Sequence, residues 1–256
     1  MRNKVALITG SASGIGKRIA IDLAKRGYNV VINYNTSQQN AEKLGSYLTE
    51  TYHVDTLCLK GDVSKSGDCE RLVHESFERF GTIDILINNA GPYIHERKSL
   101  IDYSNEEWEY LVNGNLNSVF YLSSKIIPRM REQKWGRIIN FGFDRAETTP
   151  GWLYRSAFAS AKVGLVSLTK TLAQEEAPYG ITVNMICPGD ITSGSKEVEI
   201  DQSKGTFDVN TPVGRAGTGG DISRIVSFLC EDESDFITGS IIAATGGKDV
   251  LSKVKR

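Results

Sequence analysis

A glycine-rich turn near the start of the chain has the residue types that bind phosphate. It reads Thr9-Gly10-Ser11-Ala12-Ser13-Gly14-Ile15-Gly16 and lies between an apolar run and an amphipathic segment. Glycines allow a tight turn and a close approach of the backbone to a ligand. A helix that starts at such a turn presents free N–H groups and the positive end of its dipole, which together favour a pyrophosphate. Because the chain holds 25 glycines, a plain turn is the alternative interpretation.

The elements that must position this turn alternate between short apolar runs and longer amphipathic segments. The apolar runs predict strands at 5–8, 30–32, 56–59, 83–87, 137–141, 181–187 and 240–244. The amphipathic segments predict helices at 14–26, 38–51, 69–80, 106–131, 156–177 and 222–229. Strands buried on both faces read as continuous apolar runs, and their alternation with helices predicts right-handed βαβ crossovers. The fold class is therefore α/β: a single Rossmann-type domain over 1–256, with a doubly wound parallel sheet flanked by helices on both faces.

Two features of this predicted fold point to binding. The glycine-rich turn follows the first strand, which is where doubly wound sheets bind dinucleotides. Residues 190–218 are rich in Gly, Ser, Thr and Asp and form a long irregular stretch. Long loops inside compact domains are usually binding loops or lids, so we expect 193–210 to be a substrate loop. A flexible insertion without function is the alternative.

Composition and charge exclude several classes of protein. The chain has 256 residues, with 30 Lys and Arg against 31 Asp and Glu, so its net charge of -1 gives no overall attraction to nucleic acid or an anionic membrane. The four cysteines form no C-x-x-C pair, which argues against a zinc site and a disulfide framework. The chain enters a strand at once and shows no apolar signal region or spanning stretch, so we expect a cytoplasmic protein.

The motifs, taken in order, resemble those of the short-chain dehydrogenase/reductase family. They are T-G-x-x-x-G-I-G at 9–16, Asp62-Val63, Asn88-Asn89-Ala90-Gly91, the segment 180–184 leading to Pro188-Gly189, Thr238-Gly239 and Gly246-Gly247. The similarity covers essentially the whole chain and is greatest to the bacterial 3-oxoacyl-acyl-carrier-protein reductases. The resemblance implies a nicotinamide cofactor, hydride transfer, and a homodimer or homotetramer in which the long helix and the helix at 156–177 form an interface.

The resemblance also implies which residues bind the cofactor. The turn residues are Gly10, Ser11, Ser13, Gly14, Ile15 and Gly16, with the pyrophosphate on the glycines. Asp62 and Val63 are expected at the adenine, and Asn89, Ala90 and Gly91 beside the adenosine ribose. Lys162 is expected to hold the nicotinamide ribose, and Pro188, Gly189, Ile191 and Thr192 the nicotinamide. Residues 33–37 at the end of the second strand, with Asn35 at their centre, lack the carboxylate that binds the ribose 2′-OH of NAD. NADP(H) is therefore favoured over NAD(H). Ser13, however, stands where many NADP enzymes carry a basic residue.

The catalytic positions depart from the family pattern. The family uses an active-site Tyr four residues before a Lys, a Ser after the fifth strand, and an Asn on the preceding helix. Lys162 and Asn115 match, but Phe158 stands at the Tyr position, and Gly142 or Phe143 at the Ser position. Neither phenylalanine can donate a proton.

Two residues are candidates for the missing groups. Tyr154 precedes Lys162 by eight residues, about two turns if the helix extends that far, and Asp144 follows Phe143. A packing role for Tyr154 and a turn role for Asp144 are equally compatible with the sequence. Tyr93, His95 and Tyr103 follow the 88–91 motif and could also reach a substrate.

Three hypotheses about function remain open at this point. The protein is an active reductase of a small-molecule or acyl-thioester substrate with a relocated proton donor. Alternatively, it is a cofactor-binding pseudoenzyme that acts as a regulatory or structural subunit. The third is an enoyl- or pteridine-type reductase, whose polarised C=C or C=N substrate needs little acid catalysis.

Overall fold

The computed structural model describes residues 2–205, 207–249 and 251, and its centre is a sheet of seven strands. The strands are β1 Val5–Ile8, β2 Asn29–Tyr34, β3 Thr56–Lys60, β4 Ile85–Asn88, β5 Gly136–Phe141, β6 Ile181–Pro188 and β7 Ile241–Ala244. Their order is β3-β2-β1-β4-β5-β6-β7, and all neighbouring pairs are parallel. The order reverses between β1 and β4, which is the switch point of a doubly wound sheet. The predicted fold class is confirmed.

Helices pack on both faces of the sheet. They are α1 Gly14–Ala24, α2 Gln38–Tyr52, α3 Ser66–Phe80, α4 Asn105–Val112, α5 Ser118–Gln133, α6 Ser156–Glu176, α7 Ile200–Ser203 and α8 Gly219–Leu229. In β1, Ala6 and Ile8 join a core with α1, α2 and α8, whereas Val5 and Leu7 join a second core with α3 and α5. Because side chains alternate between the faces of a strand, one continuous apolar run supplies both cores.

The long helical pattern predicted over 106–131 is confirmed, but the helix is not α-helical throughout. α4 ends at Val112, a π-helical segment occupies Asn113–Asn117, and α5 begins at Ser118. Within the π segment the side-chain amide of Asn115 donates to the carbonyl of Leu111 at 2.9 Å, so a side chain competes for an acceptor of the helix ladder. Such π-bulges occur frequently at functional sites.

The stretch that the sequence predicts as irregular is partly ordered. It contains a 3₁₀ turn at Ser193–Ser195 and the short helix α7. Position 206 of the predicted substrate loop 193–210 lies outside the described residues.

The topology brings the chemically interesting segments together. The segments that follow β1, β2, β4, β5 and β6 all leave the carboxyl edge of one parallel sheet, where ligands of doubly wound folds bind. In the described part of the chain, no helix has the length and apolar character needed to cross a bilayer.

Candidate active site

The turn after β1 forms a close-packed cradle at the start of α1. Gly10 has φ +63°, a conformation that favours glycine, and its N–H donates to the side chain of buried Asn33 at 3.0 Å. A Cβ added to Gly16 would lie 2.6 Å from the Gly10 carbonyl oxygen. No larger side chain fits at Gly16 without moving the backbone, so the glycines bring the turn and α1 together.

The two serines of this turn have different environments. Ser11 is buried, and its hydroxyl donates to the carbonyl of Ile8 at 2.7 Å. Ser13 is exposed at the first turn of α1. Ser11 therefore stabilises the turn, whereas Ser13 faces the adjoining cleft.

A carboxylate already occupies the amide end of α1. Glu197 accepts from the Gly14 N–H at 2.9 Å and from the Lys17 ammonium at 2.6 Å. Burial alone raises the pKa of the Glu197 carboxyl, but these two hydrogen bonds outweigh it and lower the pKa below its usual value. Lys196 lies beside Gly14 and lines the cleft. The sequence analysis did not identify either residue, because nothing in the sequence places the 193–210 loop over the turn.

The segment after β4 is fastened to the same turn. The Asn89 side chain donates to the Thr9 carbonyl at 2.9 Å, and the Ala90 N–H donates to the Thr9 hydroxyl at 2.9 Å. A Cβ on Gly91 would lie 2.3 Å from Asn115 Oδ1, so Gly91 allows Asn115 to approach. These contacts fix the floor of the cleft.

Asn115 presents a buried acceptor without a partner. Its Nδ2 donates to the carbonyls of Pro92 at 2.8 Å and Leu111 at 2.9 Å. Its Oδ1 is buried and has no hydrogen bond among the described residues. Buried polar atoms are nearly always hydrogen-bonded, so this oxygen is the expected partner of a ligand or a relayed water.

Lys162 lies at the same end of the cleft. Its ammonium is buried and donates to the Phe141 carbonyl at 2.7 Å. Burial lowers the pKa of Lys162 to about 8, because desolvation disfavours the charged form. The four-residue spacing places Phe158 one helical turn before it on α6, with the ammonium 5.9 Å from the ring centroid.

An aromatic and cationic group surrounds Phe158. The Tyr93 ring lies edge-on to the Phe158 ring, with 5.1 Å between centroids. Arg155 donates through Nε to the Tyr93 hydroxyl at 2.6 Å. Arg155 is buried and was missed by the sequence analysis, although its spacing of seven residues before Lys162 places both on one helix face.

The two predicted substitute acids lie elsewhere. α6 begins at Ser156, as predicted, so the helix does not extend to Tyr154. Tyr154 lies in the preceding loop with φ +63° and an exposed side chain. Asp144 is buried beside Phe143, and its carboxylate lies 4.0 Å from Arg145. The cleft is lined by other residues, and the catalytic roles of Tyr154 and Asp144 stay predictions.

Most of the predicted cofactor residues line one of two separate cavities. A cleft of about 540 Å³ runs from the glycine turn to Phe158. Its lining includes Gly10, Ser13, Gly14, Ile15, Asn89, Ala90, Gly91, Asn115 and Lys162. A second cavity of about 260 Å³ contacts Gly189 and Ile191 after β6.

The remaining predicted cofactor residues do not line either of these two cavities. Asn35 is exposed at the end of β2, and Asp62 is half-buried and accepts from the Ser64 hydroxyl at 2.8 Å. Val63 is buried in the core, and the Thr192 hydroxyl pairs with the Ser195 hydroxyl at 3.0 Å. Pro188 ends β6. Their roles toward a cofactor stay predictions.

The cleft fits a nicotinamide dinucleotide. Gly10 and Gly14 have φ +63° and carry no side chain, so the backbone N–H groups at the start of α1 are accessible to a pyrophosphate. At the far end the unpaired Asn115 oxygen and the buried Lys162 ammonium offer an acceptor and a donor for ribose hydroxyls. Polar groups at both ends of one groove match a ligand with a charged centre and a polar terminus.

Comparisons with known proteins find relatives over nearly the whole chain. Residues 10–249 match a family model described as enoyl-(acyl carrier protein) reductase. The chain is 49% identical over 250 residues to YtkK of Bacillus subtilis (strain 168), an assigned oxidoreductase, and covers 97% of each chain. It is 38% identical over 248 residues to the 3-oxoacyl-acyl-carrier-protein reductase FabG of Haemophilus influenzae, covering 96% of this chain and 98% of FabG.

Solved structures are also similar to this chain over nearly its whole length. A protein of Bacillus thuringiensis assigned as a 3-oxoacyl-reductase superposes with a TM-score of 0.91 at 48% identity, covering 98% of this chain and 100% of that one. The acetoin dehydrogenase YohF of Salmonella typhimurium superposes with a TM-score of 0.85 at 26% identity, covering 100% and 99%.

Proposed function

The chain belongs to the short-chain dehydrogenase/reductase family, and from that premise we propose that it is a nicotinamide-dependent reductase of a 3-oxoacyl thioester or a related small carbonyl compound. The observation that carries the proposal is the far end of the cleft. There the buried Lys162 ammonium and the unpaired Asn115 oxygen face one groove that leads from the glycine turn. A protein that had lost all use of a cofactor would have no reason to keep a buried cation and an unpaired acceptor together.

The cofactor supplies a hydride when it is bound. The backbone N–H groups at Gly14 and Ile15 would hold its pyrophosphate once Glu197 moves away. Lys162 and Asn115 would hold the ribose beside the nicotinamide, and the Phe158 ring forms an apolar part of the cleft lining next to them. Hydride addition leaves negative charge on the substrate oxygen, so a proton donor must lie within hydrogen-bond reach of that oxygen.

NADP(H) is the proposed form of the cofactor. Asn35, Thr36 and Ser37 follow β2 without a carboxylate, so no negative charge repels a 2′-phosphate there. Side-by-side fluorescence titrations of NADPH and NADH measure the preference, and tighter binding of NADH would overturn it.

The same proposal includes the wider arrangement of the protein. We place the cofactor and the chemistry in a single domain, the substrate in contact with the loop at 193–210, and the active species in a cytoplasmic homodimer or homotetramer. The large aromatic side chains Phe120, Phe228 and Phe236 are exposed on the protomer, which supports association of copies.

Two observations favour second candidates. The phenyl ring of Phe158 and the glycine at 142 lack the usual hydroxyls, which favours a cofactor-binding pseudoenzyme. The matching family model is described as an enoyl reductase, whose C=C substrate needs less acid catalysis. A pteridine-type substrate is the remaining variant of this hypothesis.

Steady-state oxidation of NADPH with 3-oxoacyl, enoyl and pterin substrates separates these candidates. We expect turnover of an acetoacetyl thioester with intact binding of NADPH. Turnover of an enoyl thioester or a pterin instead identifies the other reductase class. Tight binding of NADPH without turnover of any substrate would refute the proposed reductase in favour of the pseudoenzyme.

A further inference from the structure

Resting on the proposed reductase function, we propose that Tyr93 is the proton donor of this enzyme and that Arg155 is the residue that positions its phenol. Together they replace the hydroxyl that Phe158 lacks. Tyr93 lies on the segment after β4, outside the helix that carries the acid in the family.

Tyr93 combines access to the cleft with a fixed orientation. It follows the floor segment at Gly91 and lines the same cleft as Lys162 and Asn115. Its side chain is 36% exposed, so its hydroxyl is open to a ligand rather than enclosed in the core. The edge-on contact with Phe158 at 5.1 Å and a second ring contact with His95 at 5.1 Å hold the ring in place.

The hydrogen bonds of the Tyr93 hydroxyl leave its proton available. The oxygen accepts from Arg155 Nε at 2.6 Å. A phenol has one O–H donor besides its acceptor sites, and that proton has no acceptor among the described residues. The phenol can therefore donate to a substrate oxygen while Arg155 continues to donate to it.

Arg155 supplies the positive charge that such a donor needs. It is 9% exposed, and its other hydrogen bonds go to the carbonyls of His95, Glu96 and Tyr154 at 2.7–2.9 Å. No carboxylate pairs with it among the described residues, so its charge is not neutralised locally. A buried cation 2.6 Å from a phenol oxygen stabilises the phenolate that proton donation leaves behind.

The position of this pair relative to Lys162 is consistent with one reacting centre. Arg155 immediately precedes α6, and the Phe158 ring lies 5.1 Å from the Tyr93 ring centroid and 5.9 Å from the Lys162 ammonium. The proposed acid thus lies on the segment after β4, in contact with the Phe158 ring, while Lys162 stays on α6.

The proposed step balances. The hydride forms a C–H bond at the carbonyl carbon, and the π electrons of the C=O bond move to the substrate oxygen. That oxygen takes the proton from Tyr93, whose O–H electron pair stays on the phenolate beside Arg155. Water then returns a proton to the phenolate, and the reduced nicotinamide is the two-electron donor.

The test compares Tyr93→Phe with Tyr47→Phe, a matched loss of one hydroxyl on the exposed surface of α2. We expect Tyr93→Phe to lower kcat by about 100-fold or more with KM for NADPH unchanged, whereas Tyr47→Phe keeps wild-type turnover. Adding Phe158→Tyr to Tyr93→Phe should restore at least about 10-fold of the lost rate, because it returns a phenol beside Lys162. Wild-type kcat in Tyr93→Phe would overturn the inference while the reductase function stands.

A binding measurement provides a readout that does not depend on turnover. Calorimetric titration of acetoacetyl thioester into the complex with oxidised cofactor should show about 10-fold weaker binding in Tyr93→Phe, the loss of one hydrogen bond. Arg155→Lys, which keeps the charge, should weaken it less than Arg155→Ala. Equal thioester affinity in wild type and Tyr93→Phe would contradict the proposal. Absence of both turnover and thioester binding in the wild type would refute the reductase function itself, and this inference with it.

Discussion

In the proposed mechanism, single residues at the far end of the cleft carry the chemistry, and the charge of Lys162 depends on pH. Its ammonium is buried against the Phe141 carbonyl, and burial lowers its pKa to about 8. The nearby Cys187 thiol has its pKa raised to about 12 by burial and does not titrate in the same range. Proton loss near pH 8 would therefore come from the lysine and would remove a donor to the cofactor ribose.

We expect the affinity for NADPH to be constant below about pH 8 and to fall above it, by up to about tenfold per pH unit. The sign follows because the free protein has released the Lys162 proton above that pH and must take it up again to bind the cofactor. Fluorescence titrations between neutral pH and mildly alkaline pH measure this dependence. Lys162→Arg stays charged and serves as the control with a flat profile. A flat profile in the wild type would contradict the assigned role.

Asn35 is the residue on which the proposed preference for NADP(H) can be tested. We expect Asn35→Asp to weaken NADPH binding by about 10-fold or more while NADH affinity is kept or improves, because a carboxylate repels a 2′-phosphate and accepts from a 2′-OH. The matched control is Asn40→Asp, which adds the same charge on the exposed first turn of α2. An equal effect of both variants on NADPH would mean that the end of β2 does not contact the phosphate.

At the scale of elements, the 193–210 loop places a carboxylate at the start of α1, where we propose that the cofactor pyrophosphate binds. The Glu197 carboxylate accepts from Gly14 N–H and Lys17, which are groups that a pyrophosphate would also use. The free protein therefore holds its own anion at the helix N-terminus. The cofactor must displace this carboxylate when it binds.

We expect Glu197→Gln to tighten NADPH binding by about 2- to 5-fold, because it removes a competing negative charge whose interaction with a helix N-terminus contributes about 0.5–1 kcal/mol. Stopped-flow fluorescence should show a faster association rate. The control is Glu199→Gln, which removes a carboxylate bonded to Arg18 at 3.0 Å instead of Gly14. Weaker binding in Glu197→Gln would show that the carboxylate supports the cofactor site rather than competing for it.

The elements also show what the sequence can and cannot predict. The strands and their parallel arrangement follow from apolar runs such as Val5–Ile8, because strands buried on both faces can be identified without tertiary information. The π-helical segment at Asn113–Asn117 depends on the contacts of Asn115 with Leu111 and Pro92. The second of these contacts exists only after the 88–92 segment has folded against the helix.

The candidate site divides in the same way. The glycine turn, Asn115 and Lys162 are predictable because their spacing and element positions are local features of the sequence. The pairing of Tyr93 with Arg155 joins residues 62 positions apart, and the contact of Glu197 with Gly14 joins residues 183 positions apart. Neither contact has a local signal, because each depends on how a loop packs against a helix.

At the scale of the whole molecule, the exposed aromatic residues predict association. Phe120 on α5 is 59% exposed and Phe236 is 98% exposed, which is unfavourable on an isolated protomer of 28.2 kDa. α5 and α6 are the helices that the family resemblance places in a dimer interface.

We expect sedimentation velocity to give a mass of two or four protomers, and Phe120→Glu to lower that mass by introducing a charge at the interface. Tyr47→Glu is the matched control, since Tyr47 is 45% exposed on α2, away from the predicted interface. A monomeric wild type, or an equal effect of both variants, would contradict this arrangement.

Transfer of deuterium from cofactor to product tests the proposed reductase most directly. The protein is incubated with acetoacetyl thioester and NADPH that carries deuterium at the hydride position, and the product is analysed by mass spectrometry. We expect a 3-hydroxyacyl thioester that carries one deuterium on the former carbonyl carbon. Bound NADPH with no deuterium in any thioester product would contradict hydride transfer to a 3-oxoacyl substrate.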